Sequence, residues 1–270
     1  MLPTMDARYV FAQDLAREAG GLAYGYYRRR HELAVESKGL QDAVSIADKK
    51  TEDLIRSRIA ARFPDDAFLG EESGASEDLL DGRPIWVVDP IDGTVCFLNG
   101  MPTWCVSIAL VQGGAVELGV IYDPNVDELY AARRGGGAFL NGVRQPVPAA
   151  KAFRDGLFGT GFSHRSPAGD FVPFLAGLLE DGGLFLRNGS GALMLAYVAV
   201  GRLIGYFEPH INSWDSLAGL LLVREAGGWT SDFLADDGLL RGNLCAASAP
   251  DLAPTLQALL AKTVPQPARP

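Results

Sequence analysis

The sequence predicts an α+β protein whose first half, residues 1–150, mixes helices with antiparallel strand pairs, and whose second half, residues 151–270, alternates helices and strands. Three observations carry this. Apolar residues near the start recur at helical spacing. Between residues 85 and 142, short apolar runs flank Gly-Gly and Asn-Gly pairs. After about residue 150 the pattern becomes one of alternating strands and helices, the order of an α/β unit.

Ala12, Leu15, Ala16, Ala19, Leu22, Ala23 and Tyr26 share one face of an opening helix. A second helix is expected after Asp48, with Leu54, Ile55, Ile59 and Phe63 inward and Pro64 as its stop. Ile85 to Val88 reads as a buried strand halted at Asp89-Pro90. Val106 to Val111 and Val116 to Tyr122 form a hairpin about Gly113-Gly114. Leu129 to Ala132 and Ala138 to Leu140 suggest a further pair closed by the Asn141-Gly142 turn. Helices are then expected at Phe171 to Leu179, Ala192 to Val200 and Asp215 to Ala226, the last capped by Gly227-Gly228. Strands are expected at Leu184 to Leu186, Ile204 to Phe207, Trp229 to Phe233 and Leu244 to Ala247, with a final helix from Pro250.

Composition narrows the function. With 48% hydrophobic residues among 270, the chain can bury a large core. Mean hydropathy is +0.09. Apolar stretches such as Leu217 to Val223 fall far short of the roughly 18–20 residues of a membrane span. The opening residues carry Asp6 and Asp14 in place of a basic-then-apolar leader, so a cytoplasmic protein is expected, without a membrane partner. Cys96, Cys105 and Cys245 make no CxxC pair and read as small buried hydrophobes. A net charge of -9 and the lack of a basic, aromatic-studded run argue against nucleic acid as a partner. An acidic chain can still hold an anion where a bound cation reverses the local field.

The informative segment runs from Gly70-Glu71-Glu72-Ser73-Gly74 to Trp86-Val87-Val88-Asp89-Pro90-Ile91-Asp92-Gly93-Thr94. Asp-Pro and Asp-Gly are ordinary turn chemistry taken singly. Together, two carboxylates three positions apart can bracket a hard cation, which prefers oxygen ligands. Gly93 permits close backbone approach, and Thr94 adds a hydroxyl and an N–H, so the turn can also cradle an anion. Asp215 after Trp214, and Asp48, read equally as first-turn helix acids or as further ligands.

The words GEESG, WVVDPIDGT and SWDSLAGLLLVREAGG, in this order and spacing, resemble the inositol monophosphatase family over essentially the whole chain. The resemblance implies a layered αβαβα sandwich of the sugar/inositol phosphatase type, shared with fructose-1,6-bisphosphatases, and usually a homodimer. It implies magnesium as cofactor, two ions per site and a third held more weakly through water at Glu71. Glu71, Asp89 and the Ile91 carbonyl would hold the first, and Asp89, Asp92 and Asp215 the second. Thr94, assisted by Asp48, would orient the attacking water, with Glu71 completing the catalytic set. The Gly93 and Thr94 N–H groups would take the phosphate. Gly189, Ser190, Gly191, Glu208 and Lys38 match the alcohol side and mouth of the site. The implied reaction is hydrolysis of a small phosphorylated alcohol, foremost myo-inositol monophosphate, with lithium inhibition. Histidinol phosphate, sugar phosphates such as fructose-1,6-bisphosphate, and 3′-phosphoadenosine phosphates are alternative substrates.

Two positions depart from the family pattern. Cys96 stands where Asn is common, which alters packing behind the turn. Gly191 stands where Ala is common, and the lost methyl is expected to widen the alcohol pocket. A non-catalytic binding protein of this fold is a competing reading, disfavoured because Glu71, Asp89, Asp92 and Asp215 are all present. A serine hydrolase is disfavoured by the lack of GxSxG and by having only His31, His164 and His210, of which His210 reads as a loop residue.

Overall fold

The computed structural model describes residues 4–33, 45–75, 82–146 and 149–264 in full, and 35–39 and 42–44 by their backbone alone. The Lys38 side chain therefore lies outside the described residues.

Helix α1 (Met5–Tyr27) is capped by the Thr4 hydroxyl. A hairpin, β1 (Val35–Gly39) and β2 (Asp42–Ser45), leads into α2 (Ile46–Arg62). Ser45 and Asp48 form a capping box there, so the helix starts three residues earlier than expected and Asp48 sits in its first turn. Next come β3 (Ala67–Gly70), β4 (Gly74–Ala75), β5 (Ile85–Asp92), the short α3 (Thr94–Leu98), β6 (Cys105–Gln112), β7 (Ala115–Asp123), β8 (Glu128–Arg133), β9 (Gly137–Leu140) and β10 (Val143–Arg144). The remainder is β11 (Leu157–Thr160), α4 (Val172–Glu180), β12 (Leu184–Leu186), α5 (Gly191–Ala199), β13 (Gly205–Ile211), α6 (Ser213–Ala226), β14 (Trp229–Thr230), α7 (Gly238–Arg241), β15 (Asn243–Ser248) and α8 (Ala253–Thr263).

Eight strands form the first sheet in the order β10-β9-β8-β7-β6-β5-β3-β4, and five form the second in the order β12-β11-β13-β15-β14. Helices α1 and α2 cover one face of the first sheet, with Ala12, Ala16, Ile55 and Ile59 against Trp86, Val88, Ile108 and Leu110. Its other face, with Val87, Ala109 and Ile121, packs on Leu193, Leu195, Leu217 and Leu221 of α5 and α6. The same cluster continues to Tyr206, Cys245 and Ala247 of the second sheet. Phe158, Phe207 and Ala246 on the far side of that sheet meet Phe174, Leu178, Leu256 and Leu259 of α4 and α8. The layers are thus αβαβα, as the resemblance implies.

Three local expectations need correction. Asn141-Gly142, both at positive φ (48° and 77°), joins β9 to β10 and not β8 to β9. The strand expected from Trp229 to Phe233 ends at Thr230. Most consequential, β5 does not stop at Pro90 but continues to Asp92. Its pairing passes from Asp89↔Ser107 to Asp92↔Cys105, three steps on β5 against two on β6. One extra residue in a bulge leaves Pro90 free of any duty to donate a ladder hydrogen bond. It also cancels the strand alternation that would send positions 89 and 92 to opposite faces.

Candidate active site

That bulge brings Asp89 and Asp92 to one place, and the first turn of α6 adds Asp215. Oxygens of the three carboxylates lie within 4.8 Å of one another. Each aspartate anchors one oxygen on a backbone N–H. Asp89 Oδ1 accepts from Ile91 at 2.9 Å, Asp92 Oδ2 from Ala192 at 2.7 Å, and Asp215 Oδ2 from Asn212 at 3.2 Å. Asp92 Oδ2 also accepts from the Ser190 hydroxyl at 2.6 Å. Glu71, on the turn after β3, lines the same cavity, and its Oε2 is buried with no hydrogen-bond partner. Thr94 donates its hydroxyl towards Asp48 Oδ1 at 3.2 Å and the Ile91 carbonyl at 3.1 Å. Asp48 Oδ2 is held by the Ser45 N–H and hydroxyl, both at 2.8 Å.

Such crowding is unfavourable for bare carboxylates. Burial and then repulsion from Asp215 push Glu71 well above the usual carboxylate range. Burial and repulsion from Glu71 and Asp215 do the same to Asp89. Asp92 is pushed up to about 8 by burial and then by Asp215. Asp215 and Asp48 are also raised, chiefly by burial. A cluster that disfavours its own ionisation is ionised at neutral pH most readily with a cation among it.

The cavity over this cluster has a volume of about 420 Å³ and is walled by Ile91, Gly93, Thr94, Cys96, Arg165 and Arg187 beside the acids. Gly93 at φ 101° begins α3, and a Cβ there would come within 2.8 Å of the Thr103 carbonyl. A second recess of about 140 Å³ shares Asp92, Gly189 and Asp215 with the first and reaches Tyr206 and Glu208. Glu208 is buried, accepts the Tyr206 hydroxyl at 2.5 Å, and is pushed up to about 7 by burial. A Cβ on Gly161 would overlap Glu208 Oε2 and the Tyr206 hydroxyl.

The structure gathers Glu71, Asp89, Ile91, Asp92, Gly93, Thr94, Gly189 and Asp215 on one cavity, and Ser190, Gly191 and Glu208 on the adjoining recess. Asp48 reaches the site through Thr94. Ser190 differs from a plain lining residue, since its hydroxyl caps α5 and supports Asp92. Gly191 opens no space: a methyl there would lie 2.5 Å from Ile211 Cδ1, so Ile211 fills that volume. Cys96 donates its thiol to the Asn188 carbonyl at 3.2 Å, and a Cβ on Gly189 (φ 94°) would overlap its sulfur. All three cysteines are buried and free. His210 stands on β13, not in a loop, with Nε2 2.9 Å from the Arg241 carbonyl. Sequence reasoning passed over Phe162, Ser163, Arg165 and Arg187, which line both cavities. They belong to no motif, and only the adjacency of Arg187 to Asn188-Gly189-Ser190 could have pointed there.

A model of the inositol monophosphatase family matches residues 4–267. The chain belongs to the inositol monophosphatase family. An inositol-1-monophosphatase of Rhizobium meliloti is 46% identical over 202 residues, 74% of this chain and 76% of that one. A Nus factor SuhB of Haemophilus influenzae is 42% identical over 235 residues, 86% and 88% of the two chains. The crystal structure of the extragenic suppressor protein SuhB of Bartonella henselae superposes with a TM-score of 0.85 at 37% identity, covering 93% of this chain and 97% of that one. The inositol monophosphatase family is metal-dependent and acts on small phosphorylated substrates. The residues present fit such a metal. The cluster is all oxygen, which suits a hard cation over a soft one, and the unpartnered Glu71 Oε2 is a donor in wait of one. Among the described residues no helix is long and apolar enough to cross a membrane.

Proposed function

We propose that this chain is a magnesium-dependent phosphatase that hydrolyses the phosphate monoester of a small alcohol, with myo-inositol monophosphate as its substrate. The observation that carries the reading is the oxygen cluster of Asp89, Asp92 and Asp215 beside Glu71, whose buried Oε2 has no partner. Residues 1–150 contribute Glu71, Asp89, the Ile91 carbonyl and Asp92 as ligands, and residues 151–270 contribute Asp215 and the alcohol wall. Two magnesium ions held there, with a third more weakly through water at Glu71, would neutralise the phosphoryl charge and lower the pKa of a water.

The protein's own groups set the geometry. Thr94 shares its one hydroxyl hydrogen between Asp48 Oδ1 and the Ile91 carbonyl as acceptors, so its lone pairs are left to orient a water for in-line attack. Gly93 and Thr94 line the cavity, and their N–H groups would take the phosphate oxygens. Glu208, held by Tyr206, receives an alcohol hydroxyl. Homodimer formation, lithium sensitivity and a cytoplasmic location belong to the same reading.

Arg165 and Arg187, on both cavities, favour a second reading in which the alcohol carries another anionic group, as in a sugar bisphosphate or an adenosine bisphosphate. A regulatory role such as the name Nus factor suggests for relatives would stand beside catalysis, because the full acidic set is retained. A panel of phosphomonoesters compared by kcat/KM, with magnesium and with EDTA, tests this. Inositol monophosphate should lead and EDTA should silence it. Preference for bisphosphates would move the substrate to the second reading. No phosphate release from any member, or release indifferent to EDTA, would defeat the enzymatic reading.

A further inference from the structure

Glu52 lies outside every motif, yet it is a buried carboxylate, 3% exposed, on the α2 face that carries Asp48 one turn earlier. Its Oε2 accepts the N–H of Glu72 and its Oε1 the N–H of Ser73, both at 2.8 Å. These are the two residues after Glu71. On the other side, the Glu71 N–H donates to the Val88 carbonyl of β5 at 3.1 Å. Among the described residues no backbone N–H holds the Glu71 carboxyl: its Oε2 lacks a partner, and its side-chain hydrogen bond is shared with Asp89, itself part of the cluster. The place from which that side chain reaches Asp89 is set by its backbone, and its backbone by Val88 before the turn and Glu52 after it. Gly70 fits the same picture. Its φ is not positive, but a Cβ there would overlap the Glu52 carboxylate and lie 2.7 Å from Phe68 Cε1. The glycine is needed for close packing of this carboxylate and not for backbone freedom.

We propose that Glu52 is a positioning residue that clamps the turn after β3 and aims Glu71 at the metal cluster. Helix α2 thereby holds both acid-bearing loops from one face: Asp48 reaches the β5 loop through Thr94, and Glu52 reaches the β3 turn through two amides. The inference rests on the metal-dependent reading for its consequence, but not for the clamp itself. Charge-assisted bonds to backbone N–H groups are the strong class, and loss of a residue that supports a metal ligand typically costs about 10- to 100-fold in metal affinity.

Glu52→Gln keeps size and one acceptor but turns an NH₂ group towards one of the two amides. In the metal-free full chain, the Glu72 and Ser73 amides should exchange with deuterium about tenfold faster than in wild type. The Mg²⁺ concentration at the midpoint of the thermal shift, and that at half-maximal phosphatase activity, should both rise about tenfold, which converts to about 1.4 kcal/mol. The KM for substrate at saturating Mg²⁺ should stay within about twofold. Gly70→Ala, which displaces the carboxylate with Glu52 intact, should give the same pattern and decides the matter if Glu52→Gln does not fold. Unchanged amide exchange overturns the clamp. Faster exchange with an unmoved Mg²⁺ midpoint overturns the positioning role and leaves Glu52 structural. A wild-type protein with no Mg²⁺ response overturns the metal reading instead, and the exchange result then stands alone.

Discussion

At the acidic end of the cavity each aspartate is tied to a backbone N–H, a local one for Asp89 and Asp215 and that of Ala192 on α5 for Asp92, whereas the Glu208 end is a wall of side chains drawn from three separate segments. Asp89 and Asp92 sit on one bulged strand, so a single local backbone feature places both. Glu208 accepts a hydrogen bond from a side chain, Tyr206, and takes its room from the missing side chain of Gly161. The first end is rigid by construction and suited to invariant chemistry. The second can change with one residue and is where choice among alcohols resides.

Breaking the acidic end should have the largest effect. Asp92→Asn keeps an acceptor for Ala192 but withdraws a charge. We expect kcat/KM to fall about 10³-fold or more, as a metal supplies several kcal/mol of charge stabilisation. The Tm in EDTA should hold or rise, because burial and then repulsion from Asp215 disfavour the charge of the replaced carboxyl in the folded chain. A large fall in the metal-free Tm would mean that the carboxylate serves the fold and not a cation.

A smaller effect is expected at the other end. Gly161→Ala forces Glu208 and the Tyr206 hydroxyl aside. Misplacement on this scale should cost about 10- to 100-fold in kcat/KM on inositol monophosphate, with the Mg²⁺ midpoint unchanged. Equal losses on every phosphomonoester tested would remove Glu208 from substrate choice.

The same contrast explains what the sequence made legible. GEESG and DPIDGT are contiguous words, so Glu71, Asp89, Asp92, Gly93 and Thr94 could be read from one segment. The layered fold followed from the resemblance together with the helical and strand periodicities. The bulge did not follow, since Asp89-Pro90 looks like a stop and only pairing with β6 shows the strand continuing. The neighbourhoods of Arg165, Arg187, Ile211 and Glu52 were hidden for a different reason. Each acts across more than 15 positions of sequence, and periodicity carries no information at that range. The expected widening at Gly191 failed in this way, because the volume depends on Ile211 at the end of β13.

The finest test of the contrast uses pH. Glu208 has a folded-state value of about 7 against an ordinary 4.5, raised by burial. Between these values the folded chain holds a proton that the unfolded chain has released. Stability from this group is therefore complete below about 4.5 and is lost as pH rises through about 7. Glu208→Gln removes the titration while keeping an acceptor for Tyr206. In EDTA, the stability of wild type relative to the variant should decline from pH 5 to pH 8, by at most about 1.4 kcal/mol per pH unit. The acidic cluster titrates in the same direction, so only the difference between the two proteins isolates Glu208. A difference that is flat with pH would mean that Glu208 is ionised as readily as an exposed carboxylate. The wall at the alcohol end would then be far wetter than its burial beside Tyr206 indicates.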